Sequence, residues 1–105
     1  MDHLQGTLEM LVLRTLVLSP LHGYGICKAI RSNSNEVLEI EFGSLYPALK
    51  RLEAKGWVSA KWEVSENNRK AKYYSLSPVG RKQLQSESAD WARLSEAIAT
   101  VMRLA

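Results

Sequence analysis

The 105-residue sequence has few of the residues that build disulfide-stabilised or zinc-binding proteins. It contains one cysteine, Cys27, and two histidines, His3 and His22. One cysteine cannot form an internal disulfide, and this small set of cysteine and histidine is a poor source of ligands for zinc. Proteins without disulfides are typical of reducing compartments, so we expect a cytoplasmic protein that needs neither a metal nor a cofactor.

Long apolar runs and targeting signals are also missing. The longest apolar stretch, residues 8–18, is interrupted by Glu9, Arg14 and Thr15 and is too short to span a bilayer. An acid, Asp2, stands where a signal peptide would carry positive charge, and no cleavage site follows it. We therefore expect no targeting segment and no association with a membrane.

The motifs of common enzyme classes are absent as well. Gly23-Tyr24-Gly25 lacks the later glycine of a dinucleotide-binding loop, and the sequence contains no HExxH, CxxC or nucleophile elbow. These absences predict that the protein is not an enzyme.

Positive charge is concentrated in the middle of the chain. Residues 50–82 hold nine Lys/Arg and three Asp/Glu, a net charge of +6, whereas residues 1–49 carry −2 and residues 83–105 carry −1. A concentrated basic segment attracts polyanions such as nucleic acids, although a lysine-rich solvated surface would have the same composition. The placement of these residues in the fold therefore decides between the two interpretations.

Periodicity predicts two helices in the N-terminal third of the chain. Leu4, Leu8 and Leu11 share one face of the first helix, and other apolar residues fill most of its remaining surface, so it must be covered on more than one side. Ser19-Pro20 ends this helix. A second helix is expected over about residues 22–32, and weak alternation over residues 37–42 predicts a very short strand.

A third helix follows, with Ser44 as its expected N-cap and Pro47 in its first turn. Leu45, Leu49 and Leu52 form its buried stripe. Lys55-Gly56 is a typical helix end, with a cation in the last turn and a glycine after it.

The remaining chain predicts a hairpin and a long helix. Two alternating segments, residues 58–64 and 71–76, flank a polar loop that contains Asn67-Asn68. Ser77-Pro78 is a typical start for a fourth helix, expected to run to Met102. Its apolar stripe consists of Leu84, Trp91, Leu94, Ile98 and Val101.

This order of elements predicts an α+β, mostly helical, winged helix-turn-helix fold. Residues 1–76 form the expected DNA-binding domain, including the N-terminal helix, and residues 77–105 form a dimerisation helix within the same structural unit. In such a fold the third helix lies in the major groove. Its outward side would offer Tyr46, Lys50 and Arg51, and the hairpin would offer Arg69, Lys70 and Lys72.

Several motifs also resemble those of PadR-type transcriptional regulators, and together they extend over nearly the whole chain. They are QGTL at 5–8, LHGYGI at 21–26, GSLYPAL at 43–49 with RLE at 51–53, and KYYSL at 72–76. The single C-terminal helix is similar to the short branch of that family. The resemblance implies a homodimeric, ligand-responsive repressor that binds double-stranded operator DNA.

We accordingly predict that the DNA-contacting residues are Tyr24, Ser44, Tyr46, Lys50, Arg51, Arg69, Lys70 and Lys72. Other roles remain open for some of them. Tyr24 and Tyr46 could pack within the protein, and Lys50 or Arg51 could be solvated or paired with a nearby glutamate. The alternative function is a winged-helix protein-protein interaction module without specific DNA binding, which predicts a neutral or acidic third helix and wing.

The first and fourth helices are expected to form a dimer interface made of Leu4, Leu8, Leu11, Leu84, Trp91, Leu94, Ile98 and Val101. Related short-branch proteins hold aromatic or cationic molecules in a flat pocket at the dimer centre. The resemblance therefore implies an effector pocket lined by Met10, Leu8, Leu11, Trp91, Leu94 and Ile98, where Glu87 or Asp90 could favour a cation. The alternative is a tightly packed dimer core without a cavity.

Overall fold

A computed structural model describes residues 3–104 of the chain, with side chains from Gly6 onward. Its elements in chain order are α1 (His3–Thr15), β1 (Leu21–His22), α2 (Gly23–Asn33), α3 (Phe42–Ala54), β2 (Val58–Val64), β3 (Lys70–Leu76) and α4 (Pro78–Met102). This order confirms the predicted winged helix fold. In the described part of the chain, no helix is both long enough and apolar enough to cross a membrane.

The core lies where the three N-terminal helices meet beneath the sheet. Val12 and Leu13 of α1 are fully buried, as are Leu45, Leu49 and Leu52, the predicted stripe of α3. Leu8 and Leu11 of α1 are partly buried and pack against this core from its edge. The described side chains of α1 therefore pack mainly within this chain.

The smallest strand lies elsewhere than predicted. Residues 38–41 have no regular structure, so the expected strand over 37–42 is wrong. The sheet instead has an additional short strand, β1, next to the hairpin. In β1, Leu21 pairs with Tyr74 and His22 pairs with Tyr73. A two-residue strand is too short to show an alternating pattern, and it exists because β3 offers it a free edge.

The start of α3 also differs from the prediction. The helix begins at Phe42, and its N-cap, Glu41, makes no side-chain cap hydrogen bond. Ser44 therefore lies inside the first turn, where its backbone N–H donates to the Glu41 carbonyl at 3.0 Å. Pro47 becomes the sixth residue of the helix. The predicted end is confirmed, with Lys55 as C-cap and Gly56 at a φ of +76°.

Strands β2 and β3 form the wing, an antiparallel hairpin beside β1 in the strand order β1-β3-β2. Its register pairs Val58 with Leu76 at the base and Val64 with Lys70 at the tip. The base is buried against the core, and the tip extends past the helices into solvent. Asn68 adopts a φ of +57°, as expected for the turn residue of this loop.

Helix α4 has the predicted limits and is fixed to the body at its first turn. The Ser77 hydroxyl donates to the Gly56 carbonyl at 2.7 Å and accepts from the Gly80 N–H at 3.0 Å. The Ser77 N–H donates to the Trp57 carbonyl at 3.0 Å. Within α4, only Gly80 and Leu84 are buried. Most of the helix therefore extends away from the core, and the molecule measures 56 × 29 × 23 Å.

Candidate nucleic-acid interface

A groove of about 530 Å³ separates the wing from the start of α2 and from α3. We call it the wing groove and define it by Tyr24, Tyr46, Trp62, Arg69, Lys70 and Lys72. Five of these six are residues for which the sequence predicts DNA contacts. The fold thus brings together groups from α2, α3 and the two strands and loop of the wing, up to 48 positions apart in the chain.

Tyr46 joins two helices at the rim of the groove while remaining half exposed. Its ring stacks on Phe42, with centroids 5.7 Å apart. Its hydroxyl lies over Gly23, where an added Cβ would be 2.7 Å from the oxygen. The absence of a side chain at Gly23 therefore allows Tyr46 to lie across the start of α2. Tyr46 therefore packs within the protein and also lines the groove, while its contact with DNA stays a prediction.

The basic side chains of the wing groove differ in whether an acidic side chain pairs with them. Lys72 Nζ lies 3.2 Å from Glu53 Oε1 and 5.6 Å from the ring centroid of Tyr74. Burial raises the pKa of the Tyr74 hydroxyl, against the lowering effect of Lys72, so this hydroxyl is neutral at physiological pH. Arg69 and Lys70 are exposed and form no ion pair with any described residue. Most of the free positive charge of the groove therefore lies at the wing tip.

The exposed side of α3 lies next to the wing groove. Lys50 is on the side of the helix opposite the buried stripe, and it has no ion-pair partner among the described residues. Ser44 is also exposed, in the first turn of the helix. Neither side chain lines the wing groove, and the six-residue spacing places the two about 120° apart around α3.

Arg51 lies on the other flank of α3, facing α1 rather than the predicted outward side. Its Nε is 3.7 Å from the carboxylate of Glu9 and makes no hydrogen bond to any residue that the structure describes. Glu9 is only 4% exposed, and it also accepts from Lys55 Nζ at 3.2 Å. Of the roles left open for Arg51, pairing with a nearby glutamate is the one the structure shows. A buried carboxyl group needs such partners, and α3 and its C-cap residue supply them.

Trp62 lines the wing groove but was not predicted as a site residue. Strand alternation places it with Val58 and Ala60 on the apolar side of β2, a pattern that favours burial. It is nevertheless 65% exposed, because the hairpin is longer than the core that it covers. The register that pairs Trp62 with Lys72 was the one available signal that this position lies beside a basic group.

A second surface is formed by the apolar stripe of α4, which we define as Trp91, Leu94, Ile98 and Val101. All four side chains are exposed in the single chain. Leu84, predicted in the same interface, instead belongs to the core of its own subunit because it lies before the point where α4 leaves the body. The side chain of Leu4, also predicted there, lies outside the described residues.

A cavity of about 260 Å³ lies between α1 and α4, next to the α4 stripe. Three of the predicted effector-pocket residues, Met10, Trp91 and Leu94, line it. The other three do not, because Leu8 and Leu11 pack toward the core and Ile98 lies further along α4. Gly6, Thr7, Glu87 and Asp90 complete the lining.

The two acids of this cavity have different environments. Asp90 forms an ion pair with Arg93, one turn along α4. Glu87 Oε2 is buried without a hydrogen-bond partner in the described part of the chain. Burial raises the pKa of the Glu87 carboxyl, and the charge of Glu9 adds to this, while a hydrogen bond from Gln83 opposes it. Glu87 therefore differs from Asp90 in having no ion-pair partner within 4 Å among the described residues and one carboxylate oxygen without a hydrogen bond there.

The described residues offer little for metal or thiol chemistry. They contain no group of three or more His, Cys, Asp or Glu side chains placed to hold a metal ion. Burial raises the pKa of the Cys27 thiol, which disfavours a reactive thiolate.

Comparison with known proteins agrees with this geometry. The model of the transcriptional regulator PadR-like family matches residues 12–86. Among solved structures, a transcriptional regulator from Clostridium thermocellum superposes with a TM-score of 0.84 at 27% identity, covering 95% of this chain and 97% of that one. A PadR family transcriptional regulator from Eggerthella lenta gives 0.78 at 31% identity, covering 97% and 88%.

Two curated relatives are similar in sequence but are not described by function. "Uncharacterized protein X" of Lysinibacillus sphaericus is 29% identical over 97 residues, which are 92% of this chain and 89% of the relative. A 37.1 kDa protein of transposon TN4556 in Streptomyces fradiae is 44% identical over 87 residues. The match covers 83% of this chain but only 24% of the transposon protein, so the similarity extends over about a quarter of that protein.

Proposed function

Because the chain belongs to the PadR-like family of transcriptional regulators, we propose that it is a sequence-specific repressor that binds a two-fold symmetric operator as a homodimer. The observation that carries the proposal is the wing groove, where aromatic and basic side chains from separate elements face one cleft. The alternative, a module that binds only proteins, predicts a neutral or acidic wing. Arg69 and Lys70 at the wing tip, unpaired among the described residues, favour DNA.

In the proposed complex, α3 enters the major groove and the wing lies over the adjacent strand. Lys50 and Ser44 on the exposed side of α3 reach the DNA directly, and Arg69 and Lys70 contact phosphates from the wing tip. Tyr24 and Tyr46 lie between these two contact surfaces. Arg51 has no part in this scheme, since it serves as a partner of buried Glu9.

The α4 stripe supports the homodimer. A 25-residue helix is about 37 Å long at 1.5 Å per residue, but its last buried residue is Leu84. A second copy that covers Trp91, Leu94 and Ile98 would remove this apolar surface from water. The same contact would place two copies of α3 about one turn of DNA apart, roughly 34–36 Å.

The cavity beside the stripe supports release by a small planar aromatic or cationic effector. At about 260 Å³ it is near the lower end of the roughly 300–1,000 Å³ of small-molecule pockets, and a second copy would enlarge it. Trp91 offers a ring face for a planar molecule, and Glu87 offers a carboxyl oxygen without a partner among the described residues. Such a molecule releases operator only if it binds the free dimer more tightly than the DNA-bound dimer.

The DNA-binding proposal is tested by fluorescence anisotropy with duplex DNA over a range of salt concentrations. Replacing Lys50, Arg69 and Lys70 with glutamine should weaken binding and flatten the log–log salt dependence by about 0.9 for each phosphate that is no longer neutralised. Lys61→Gln is the matched control, because Lys61 lies on the opposite face of β2 and already pairs with Glu63 at 3.3 Å. An unchanged affinity and slope in the triple variant would favour the protein-interaction module.

The effector proposal is tested by tryptophan fluorescence with a panel of planar dyes and phenolic acids. A ligand in the cavity should quench emission in the native protein, and Trp91→Phe should abolish that part of the signal. If no member of the panel at tens of micromolar gives quenching that depends on Trp91, the result would favour the alternative, a dimer core that binds no effector.

A further inference from the structure

Trp62 is a large aromatic residue that lies outside the core and has no ring or cation-π partner among the residues that the structure describes. It is 65% exposed and stands on β2, the outer strand of the sheet. Its strand neighbours on the same face, Val58 and Ala60, pack toward the core, but Trp62 lies beyond the end of that core. A single exposed apolar residue is ordinary on a protein surface, so it is the groove lined by Trp62 that indicates a contact.

The residues around Trp62 indicate which kind of molecule it can contact. Directly across the hairpin stands Lys72, and the same groove holds Arg69 and Lys70. Tyr46 lines the facing side of the groove. A ligand that fills this cleft must therefore present negative charge together with an apolar face.

The sugar-phosphate backbone of duplex DNA has this combination. Its phosphates suit the cations, and the C–H edge of each deoxyribose suits the flat face of an indole. A second copy of this chain is a poor occupant, because it would bring the same cations, Arg69 and Lys70, toward the same cleft. Bases are also poor partners here, since in a duplex they are stacked inside the helix.

We propose that Trp62 is a DNA-contacting residue of the wing, whose indole packs on deoxyribose while the neighbouring cations hold the flanking phosphates. This inference rests on the proposed DNA-binding function. It adds a contact that is apolar and independent of base sequence. The contact releases no counterion, so it contributes affinity without contributing to the salt dependence.

The test compares Trp62→Ala with Val64→Ala in anisotropy titrations on operator and on random duplex. Val64 is the matched control, because it is an exposed apolar residue on the same face of β2 but does not line the groove. We expect Trp62→Ala to weaken binding to both duplexes about tenfold, with an unchanged salt slope. We expect Val64→Ala to stay within about twofold of the native protein.

A second measurement keeps the test independent of folding. Trp62→Phe retains a flat ring and should recover most of the affinity that the alanine variant loses. Binding of duplex should change the tryptophan emission of the native protein and of Trp91→Phe, but not that of Trp62→Phe.

The contrary outcomes are distinct from failure of the proposed function. Equal affinity of Trp62→Ala and the native protein, or a weakening seen with operator alone, would overturn the sugar contact. If the glutamine variants of Lys50, Arg69 and Lys70 still bind more weakly, DNA binding itself stands while this inference falls. If those variants also bind normally, both proposals fail.

Discussion

The wing groove and the α4 stripe are both exposed and both contain tryptophan, yet they differ in charge. In the wing groove, Arg69 and Lys70 have no ion-pair partner among the described residues. Beside the α4 stripe, Arg93 pairs with Asp90, and Arg103 pairs with Glu96 at 3.2 Å. The comparison shows that an exposed apolar residue does not by itself indicate its partner. The balance of the surrounding charges favours a polyanion at one surface and a second copy of the chain at the other.

Ile98→Asp is the change expected to have the largest effect, and it acts on the α4 stripe alone. Two copies of the introduced carboxylate would be buried near each other at the proposed interface, so the dimer should weaken by at least about 100-fold. Sedimentation velocity over a concentration series measures this. Ala92→Asp, on the opposite side of α4, should leave the dimer intact, and an unchanged assembly of Ile98→Asp would remove the stripe from the interface.

Gly80→Ala tests the joint between the body, which holds the wing groove, and α4, which holds the stripe. An added Cβ would lie 2.0 Å from the Trp57 carbonyl oxygen, a backbone atom that cannot move alone. We expect a decrease of about 3 kcal/mol in the free energy of unfolding, measured in urea. Gly43→Ala is the control, because no described atom lies within 4 Å of its added Cβ, and equal stabilities would contradict the tight contact.

Gly23→Ala acts on the wing groove and should leave the α4 stripe unchanged. Its Cβ would be 2.7 Å from the Tyr46 hydroxyl, so the Tyr46 ring must shift within the groove. We expect DNA binding several-fold weaker, with a decrease of less than about 1 kcal/mol in unfolding free energy, because a side-chain tip can move. Combining it with Tyr46→Phe, which removes the nearest atom, should recover part of the affinity. No recovery would mean that the two residues act separately.

Glu87→Gln should have the smallest effect on stability, and the size of that effect depends on pH. Burial raises the pKa of Glu87 in the folded protein, so its stabilising contribution is complete below its ordinary pKa of about 4.3 and is lost as pH rises through the higher folded pKa. At pH 7 the glutamine variant should therefore be more stable, by less than about 1 kcal/mol since solvent screens part of the side chain. Urea unfolding at pH 7 and pH 4 should show the difference disappearing in acid.

Sequence reasoning was most accurate where local chemistry decides the structure. Ser77-Pro78 and Lys55-Gly56 fixed helix limits correctly, because caps depend on the few residues beside them. It was wrong about Ser44 and about the strand over 37–42, where a local signal competed with tertiary contacts. The position of β1 depends on the free edge of a strand about 50 residues away, which no local pattern contains.

The site residues divide in the same way. The sequence predicted the groups at the wing tip because the hairpin and its charges are adjacent in the chain. It placed Arg51 on the outward side because the buried partner, Glu9, is on another helix 42 positions earlier. It passed over Trp62 because alternation shows which face of a strand a residue occupies, but not how far the core beneath that face extends.

The three hydrogen bonds at Ser77 fix the first turn of α4, and Leu84 holds the next turns against the core, whereas the C-terminal part of the helix is exposed. Since the helix is about 37 Å long, a rotation of about 5° at this joint moves its far end by about 3 Å. In the proposed dimer the far ends are held together, so the same rotation would appear instead as a change in the separation of the two α3 helices. Ser77→Ala removes the hydrogen bonds to Gly56 and Gly80 but keeps the helix, so in the proposed dimer it should make the separation of the two α3 helices more variable.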